Sequence, residues 1–213
     1  MLVHFIWIGD NEVPPHYIKN FQKCVKINEG CTFKVWKNDE CFQLLESNGL
    51  FEYWSTLTFI CKCNLLKYLI LDKFGGIYSD FDITWNRSFI RILNDLNYTD
   101  YDMVLTAIHS STMNIDNLTV PLMDDPFIYS KPKFFGACID YCQNRRFLYN
   151  DGDLYMRTRK LETHKLEPIG PFGLTEWIYK FKIKANYFFQ DVMLDRNTGV
   201  FGFHEQNTNW NYL

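Results

Sequence analysis

Asp80 and Asp82 stand two residues apart, just after a glycine pair and a short apolar run, in the stretch Gly75-Gly76-Ile77-Tyr78-Ser79-Asp80-Phe81-Asp82. Both lie at the end of a buried strand, where side chains at i and i+2 share one face. The two carboxylates then project together while Phe81 turns back into the core. Two anionic groups side by side repel unless a cation sits between them. All-oxygen ligation suits a hard divalent ion, Mg²⁺ or Mn²⁺, which completes its shell with water and substrate phosphates. An Asp-x-Asp triplet alone carries little information; its place after a helix and a Gly-Gly stop gives it weight.

The elements that must hold this pair follow from the apolar pattern. Leu2–Ile8 reads as a first strand, with Gly9-Asp10 turning out of it. Pro14-Pro15 precede a helix whose apolar face is Ile18, Phe21 and Val25, spaced three and four apart. Thr32–Trp36 is a second strand, and Asn38-Asp39 cap a helix that runs to about Asn48-Gly49. Thr58 opens a further helix with Leu65, Leu66, Leu69, Ile70 and Phe74 as its buried stripe. Gly75 suits the left-handed position that ends it. Ile77–Asp82 is the strand that bears the carboxylates, and Met103–Ala107 is another inner strand. The polar segment from His109 to Asp125 reads as a long loop of the kind that often carries function. Phe127–Ser130, the helical stretch Phe134–Asn144, a Gly170-Pro171-Phe172-Gly173 turn leading into a helix with Trp177, and strands at Asn186–Phe189 and Val200–Phe203 complete the chain. Alternating strands and helices predict an α/β protein with one mainly parallel, Rossmann-like sheet covered by helices. In such sheets ligands bind at the carboxyl ends of strands. Both Ile8-Gly9-Asp10 and Asp80-Phe81-Asp82 lie at such ends.

Composition narrows the function classes. At 213 residues the chain fits a single domain, 1–213, with a sizeable core. A net charge of −3 lacks the basic balance of a nucleic-acid binder. No apolar run is long enough to span a bilayer. Seven cysteines, an odd number without Cys-x-x-Cys spacing, favour neither a disulfide framework nor a zinc site. Reduced thiols imply a cytoplasmic setting.

Three blocks carry a family resemblance. They are His4-Phe5-Ile6-Trp7-Ile8-Gly9, the run from Cys63-Asn64-Leu65-Leu66-Lys67-Tyr68 to Gly75-Gly76-Ile77-Tyr78-Ser79-Asp80-Phe81-Asp82, and His204-Glu205-Gln206-Asn207-Thr208-Asn209-Trp210. On these the chain resembles metal-dependent glycosyltransferases of the GT-A fold with a DXD motif. The branch is the one that holds yeast-type initiating mannosyltransferases, the sugar-transferring domains of clostridial toxins, and viral enzymes including those of large algal viruses. The resemblance implies Mn²⁺ or Mg²⁺ as cofactor, a UDP-sugar donor, a glycan or glycoprotein acceptor, retention of anomeric configuration and, for a virus, the host cytoplasm.

It also implies roles. Asp80 and Asp82 hold the metal and diphosphate, with His204 or Glu205 as a third ligand. Trp7 stacks on the uracil, Tyr78 donates to ribose or phosphate, and the Trp210 indole reaches the β-phosphate. Asn64 and Lys67 stand where the family usually has Asp and Arg, and they face the donor sugar, Lys67 assisting departure of the diphosphate. Asn has no charge and Lys lacks the guanidinium fork, so the donor shifts away from glucose or mannose toward other hexoses or a deoxyhexose. Asp124 and Asp125, ahead of Pro126, meet the acceptor or the reacting carbon, although Asp-Asp-Pro is also ordinary turn chemistry. Two readings from other classes remain: a metal-dependent phospho- or glycoside hydrolase on the same carboxylates, and a non-catalytic nucleotide-sugar or glycan-binding module.

Overall fold

The computed structural model describes residues 1–145, 169–195 and 199–205. Strand β1 (Leu2–Ile6) leads through α1 (Pro15–Ile27) to β2 (Thr32–Trp36). Three helices follow, α2 (Asn38–Ser47), α3 (Phe51–Ser55) and α4 (Phe59–Phe74), then β3 (Gly76–Ser79), β4 (Ile83–Trp85) and α5 (Phe89–Asp95). A long hairpin of β5 (Met103–Ile115) and β6 (Leu118–Ser130) precedes α6 (Gly136–Arg145), α7 (Pro171–Lys180), β7 (Ala185–Phe189), α8 (Gln190–Met193) and β8 (Gly202–His204). Six strands form one sheet in the order β2-β1-β3-β6-β5-β7, and β4 pairs with β8 in a separate two-stranded ribbon. Neighbours β2/β1, β1/β3 and β5/β7 are parallel, whereas β6 runs against both β3 and β5. The predicted α/β architecture holds, with a sheet mostly parallel in its pairings and helices on both faces.

One face of the sheet is covered by α4 and its neighbours around Leu65, Leu66, Ile70 and Trp177. The other is covered by an aromatic cluster of Phe5, Phe81, Trp85, Phe89 and Phe127. Helix α4 is buried almost all round, from Cys61 to Leu71 with Lys62 the one partly exposed residue, so it lies within the core rather than on a surface. Phe74, expected in its buried stripe, is instead 39% exposed at the helix end. In α1 the inward residues are Tyr17, Phe21 and Cys24, while Ile18, expected on that face, is 41% exposed.

The glycine pair sets the strand that follows. Gly75 ends α4 at φ 61°, and Gly76 has φ 94° where a Cβ would lie 2.4 Å from the Leu2 carbonyl oxygen. Only glycine lets β3 approach β1 this closely. His4 secures the same corner: its Nε2 lies 2.8 Å from the Gly75 carbonyl, while its Nδ1 accepts from the Trp36 indole at 3.1 Å. Both ring nitrogens are thereby satisfied, and burial lowers the pKa, so this histidine stays neutral.

Two expectations are corrected. Residues 109–125 are not a loop but most of the β5–β6 hairpin, reversed at Asp116 and Asn117 with φ 49° and 68°. Positive φ at both central residues is the two-residue turn that suits the twist of paired strands, and Asp and Asn tolerate it. The strand bearing the carboxylates also stops earlier than expected: β3 ends at Ser79, and Asp80–Asp82 form the turn into β4.

Candidate active site

That turn is fixed from several sides. The Asp80 N–H donates to the Pro126 carbonyl at 2.9 Å and the Glu205 N–H to the Asp82 carbonyl at 3.0 Å. The Asn20 amide bridges the Phe81 carbonyl (3.3 Å) and the Glu205 carboxylate (3.1 Å), while its own oxygen accepts from the Thr84 hydroxyl. Pro126 sits where the β5–β6 ladder slips between Leu105/Ile128 and Thr106/Asp124. That irregularity leaves Asp125 and Pro126 unpaired by β5 and free to serve the site.

The carboxylates do converge, by the turn rather than by a shared strand face. Because β8 pairs with β4 at Ile83↔His204, it delivers His204 beside Asp82, its Nε2 3.2 Å from Asp82 Oδ1. One ligand atom from each of Asp80, Asp82 and His204 lies within 4.8 Å of the others. Of the two alternatives for a third ligand, His204 is the one that joins this group among the described residues; the Glu205 carboxylate is engaged by Asn20.

Burial raises the pKa of Asp80 to about 6, opposed by the Lys67 charge, with repulsion from Asp82 adding to the rise and the Tyr78 hydroxyl again opposing it. Burial pulls the His204 pKa down, but its contact with Asp82 and the surrounding carboxylates raise it overall. His204 Nδ1 is buried without a hydrogen-bond partner among the described residues. Two carboxylates and an imidazole that must share so little space, at a cost in ionisation, are a donor set that fits a divalent cation.

Behind the cluster lies a second layer. Lys67, 4% exposed on α4, places its ammonium 3.0 Å from Asp125 Oδ1, 3.3 Å from the Asp125 carbonyl and 3.4 Å from Asp80 Oδ1. Burial opposes its charge, yet Asp125 and Asp80 more than compensate and raise its pKa, so it is held as the cation. An ammonium has three protons, and here three protein acceptors surround it. The remaining Asp125 oxygen accepts from the Tyr68 hydroxyl at 3.1 Å. The Tyr78 hydroxyl donates to Asp80 Oδ1 at 2.5 Å, with Lys67 over its ring. Burial raises the pKa of both tyrosines, which keeps them protonated donors.

The other predicted residues fall around this centre. Trp7 is half-buried one residue past β1, its edge against Phe81 and its indole N–H donating to the Asn11 carbonyl at 2.7 Å. Asn64 is buried one turn before Lys67, with the amide nitrogen 3.0 Å from where a Cβ on Gly170 would sit, at the start of α7. Trp210 lies outside the described residues, as does the block after Glu205.

Sequence reasoning missed Asn20 and Gln190, and it gave Asp124 no partner. The Gln190 amide donates to Asp124 Oδ2 at 2.6 Å, and burial together with the Asp125 charge raises the Asp124 pKa. Asn20 reaches its partner across 185 positions and Gln190 across 66, separations that no local spacing reveals.

Residues 14–116 match the profile of the glycosyltransferase sugar-binding region containing the DXD motif. The chain is 32% identical over 92 residues to an uncharacterised glycosyltransferase of Acanthamoeba polyphaga mimivirus, covering 41% of this chain and 37% of that protein. It is 25% identical over 96 residues to an inositol phosphoceramide mannosyltransferase of Schizosaccharomyces pombe, covering 44% and 27%. The match thus spans well under half the length of either relative. Among solved structures, the PaToxG glycosyltransferase superposes with a TM-score of 0.56 at 15% identity, covering 84% of this chain and 69% of that one. At that identity the likeness concerns the fold, which is GT-A.

Proposed function

We propose that this chain, whose residues 14–116 match the glycosyltransferase sugar-binding region containing a DXD motif, transfers a hexose or deoxyhexose from a UDP-sugar to a hydroxyl of a glycan. The observation that carries the reading is the convergence of Asp80, Asp82 and His204 at the end of β3, beside the carboxyl end of β1. These three residues are the holders of a divalent cation, Mn²⁺ or Mg²⁺. When bound, it supplies Lewis-acid neutralisation of the charge that collects on the departing diphosphate.

The chain's own groups do the remaining work. Trp7, half-buried beside the turn, offers a ring for the uracil. Tyr78 and Lys67 hold Asp80 in one orientation, and Asn64 with the start of α7 borders the sugar. Lys67, with its protons taken by Asp80 and Asp125, contributes a fixed positive charge rather than a hydrogen bond to the sugar. Transfer proceeds with retention, as the resemblance implies. Seven free thiols, six of them buried, support a reducing, cytoplasmic setting.

The test joins metal and nucleotide in one thermal-shift series. A ligand that binds only the native state at a hundred times its dissociation constant adds about 2.7 kcal/mol. In a domain of this size that is roughly 5–11 °C. UDP should give a shift of this order with Mn²⁺ and little with chelator, and Asp82→Asn should remove the metal-dependent part. A UDP shift indifferent to metal would separate the carboxylates from the diphosphate. The absence of any nucleotide shift would leave only the fold, and a hydrolase or a glycan-binding module in its place.

A further inference from the structure

Gln190 opens α8 directly after β7 and is 6% exposed. Its amide nitrogen is committed to Asp124 Oδ2 at 2.6 Å, which fixes the side chain and leaves the amide oxygen as the free end. That oxygen is buried and has no hydrogen-bond partner among the described residues. A buried acceptor is ordinarily paired, and one left open beside a reaction centre calls for a donor from outside the protein.

Its location ties it to that centre by two routes. Through Asp124 it adjoins Asp125, which grips Lys67, which in turn lies 3.4 Å from Asp80. Through α8 it adjoins His204: the His204 N–H donates to the Leu194 carbonyl at 2.9 Å, and the Leu194 N–H to the Gln190 carbonyl at 2.8 Å. Gln190 is thereby joined to the Asp80–Asp82–His204 group by side chains through Asp124 and by backbone hydrogen bonds through α8.

We propose that Gln190 is a specificity-determining residue whose amide oxygen accepts a hydrogen bond from a hydroxyl of the sugar being handled, with Asp124 as the positioning residue that aims it. The ligand class follows from the atom. An amide oxygen can only accept, so phosphate and carboxylate are refused and a hydroxyl or amide N–H is admitted. Beside a site that handles nucleotide-sugars, the hydroxyl of a hexose is the group at hand. The assignment rests on the glycosyltransferase reading above.

The experiment compares wild type with Gln190→Leu and Gln190→Met, which keep the bulk and remove the acceptor. Affinities for UDP, UDP-glucose and UDP-galactose are measured by calorimetry in Mn²⁺, with the UDP-hexose that wild type binds best taken forward in its singly deoxygenated forms. A lost neutral hydrogen bond corresponds to about a ten-fold change. The expected result is a UDP-hexose affinity about ten-fold weaker in both variants, UDP within two-fold of wild type, and one deoxy analogue that wild type and variants bind equally. An unchanged donor affinity with about a ten-fold higher KM for a simple methyl hexoside would also support the subsite and place the hydroxyl on the acceptor. Equal loss of UDP and UDP-hexose binding, or no change in any arm, would overturn it; the latter is the result if ordered water fills the position. Failure of wild type to bind UDP with Mn²⁺ would sink the glycosyltransferase reading and this subsite with it, whereas normal UDP binding with indifferent variants sinks the subsite alone.

Discussion

Replacing Lys67 by Met tests the second layer of the site. The two side chains are close in length, so the packing of α4 is largely kept while the ammonium is lost. What remains is Asp125 at 5% exposure, with the Tyr68 hydroxyl donating to its carboxylate, and Asp80 without the Lys67 ammonium. Removing one partner of a buried ion pair typically costs 3–5 kcal/mol, because a charge is left uncompensated. The Tyr68 hydrogen bond softens that loss toward the lower end, about 3 kcal/mol, which lowers the melting temperature by roughly 6–12 °C. The assay is urea and thermal unfolding in chelator, so that no cation takes the place of the ammonium.

Three controls sharpen it. Lys67→Arg keeps the charge and should lose less, though its fork does not match a site shaped for a point charge. Adding Asp125→Leu to Lys67→Met should recover more than half of the loss, since a buried pair replaced as a unit is often near neutral. The deficit should also depend on pH with a definite sign. Asp80 has a raised pKa, about 6, and Lys67 is what restrains it from rising further. Without Lys67 the folded variant takes up that proton at higher pH, so the deficit is largest above pH 6 and shrinks as pH falls. A loss below 1 kcal/mol at pH 8 would refute the reasoning and show that solvent or rearrangement satisfies the two carboxylates.

Much of the architecture is legible in the sequence because the fold and the local signals agree. Pro15 begins α1, Thr58 precedes α4 and Gly75 stops it, each where its chemistry predicts. The hairpin is hidden by the polar residues of its tip, Asn114, Asp116, Asn117 and Thr119, although Met113 and Ile115 on one strand and Val120 and Leu122 on the other alternate inward as buried residues. A period-two pattern on either side of an Asp-Asn turn is the signal that finds it. Asp80 and Asp82 are foreseen as a pair, but the strand argument gives the wrong cause. They meet because Pro126 and Glu205 hold a turn, contacts that depend on β6 and β8 arriving from later in the chain. The same limit applies to Lys67. Its spacing from Asn64 marks a polar step on one helix face, yet its partner Asp125 lies 58 positions away, beyond a ladder slip that no composition encodes.

Two further outcomes follow. Gly76→Ala should cost about 3 kcal/mol or more in urea unfolding, since it meets the Leu2 carbonyl as well as an unfavourable φ. Gly30→Ala, with a similar φ of 92° and nothing within 4 Å, should show only the backbone share, about 1–2 kcal/mol; equal losses would mean β3 does not need its close approach to β1. The last prediction concerns protons and metal. The pKa values of both Asp80 and His204 are raised in the metal-free fold. A group with a raised pKa stabilises the fold at low pH, and that contribution is lost as pH rises through its folded value. Asp80 therefore costs the metal-free protein stability as pH rises from about 4 through 6, and His204 does so as pH rises further above 6.5. Metal binding has the opposite dependence, because both ligands must shed their protons to coordinate. Apparent Mn²⁺ affinity should fall below pH 6 by up to about ten-fold per pH unit for each proton displaced. Calorimetry in buffers of different ionisation enthalpy should record proton release on binding, greater at pH 6 than at pH 8. An affinity that is flat from pH 5 to 8 would mean that Asp80 and His204 are not the groups that meet the ion.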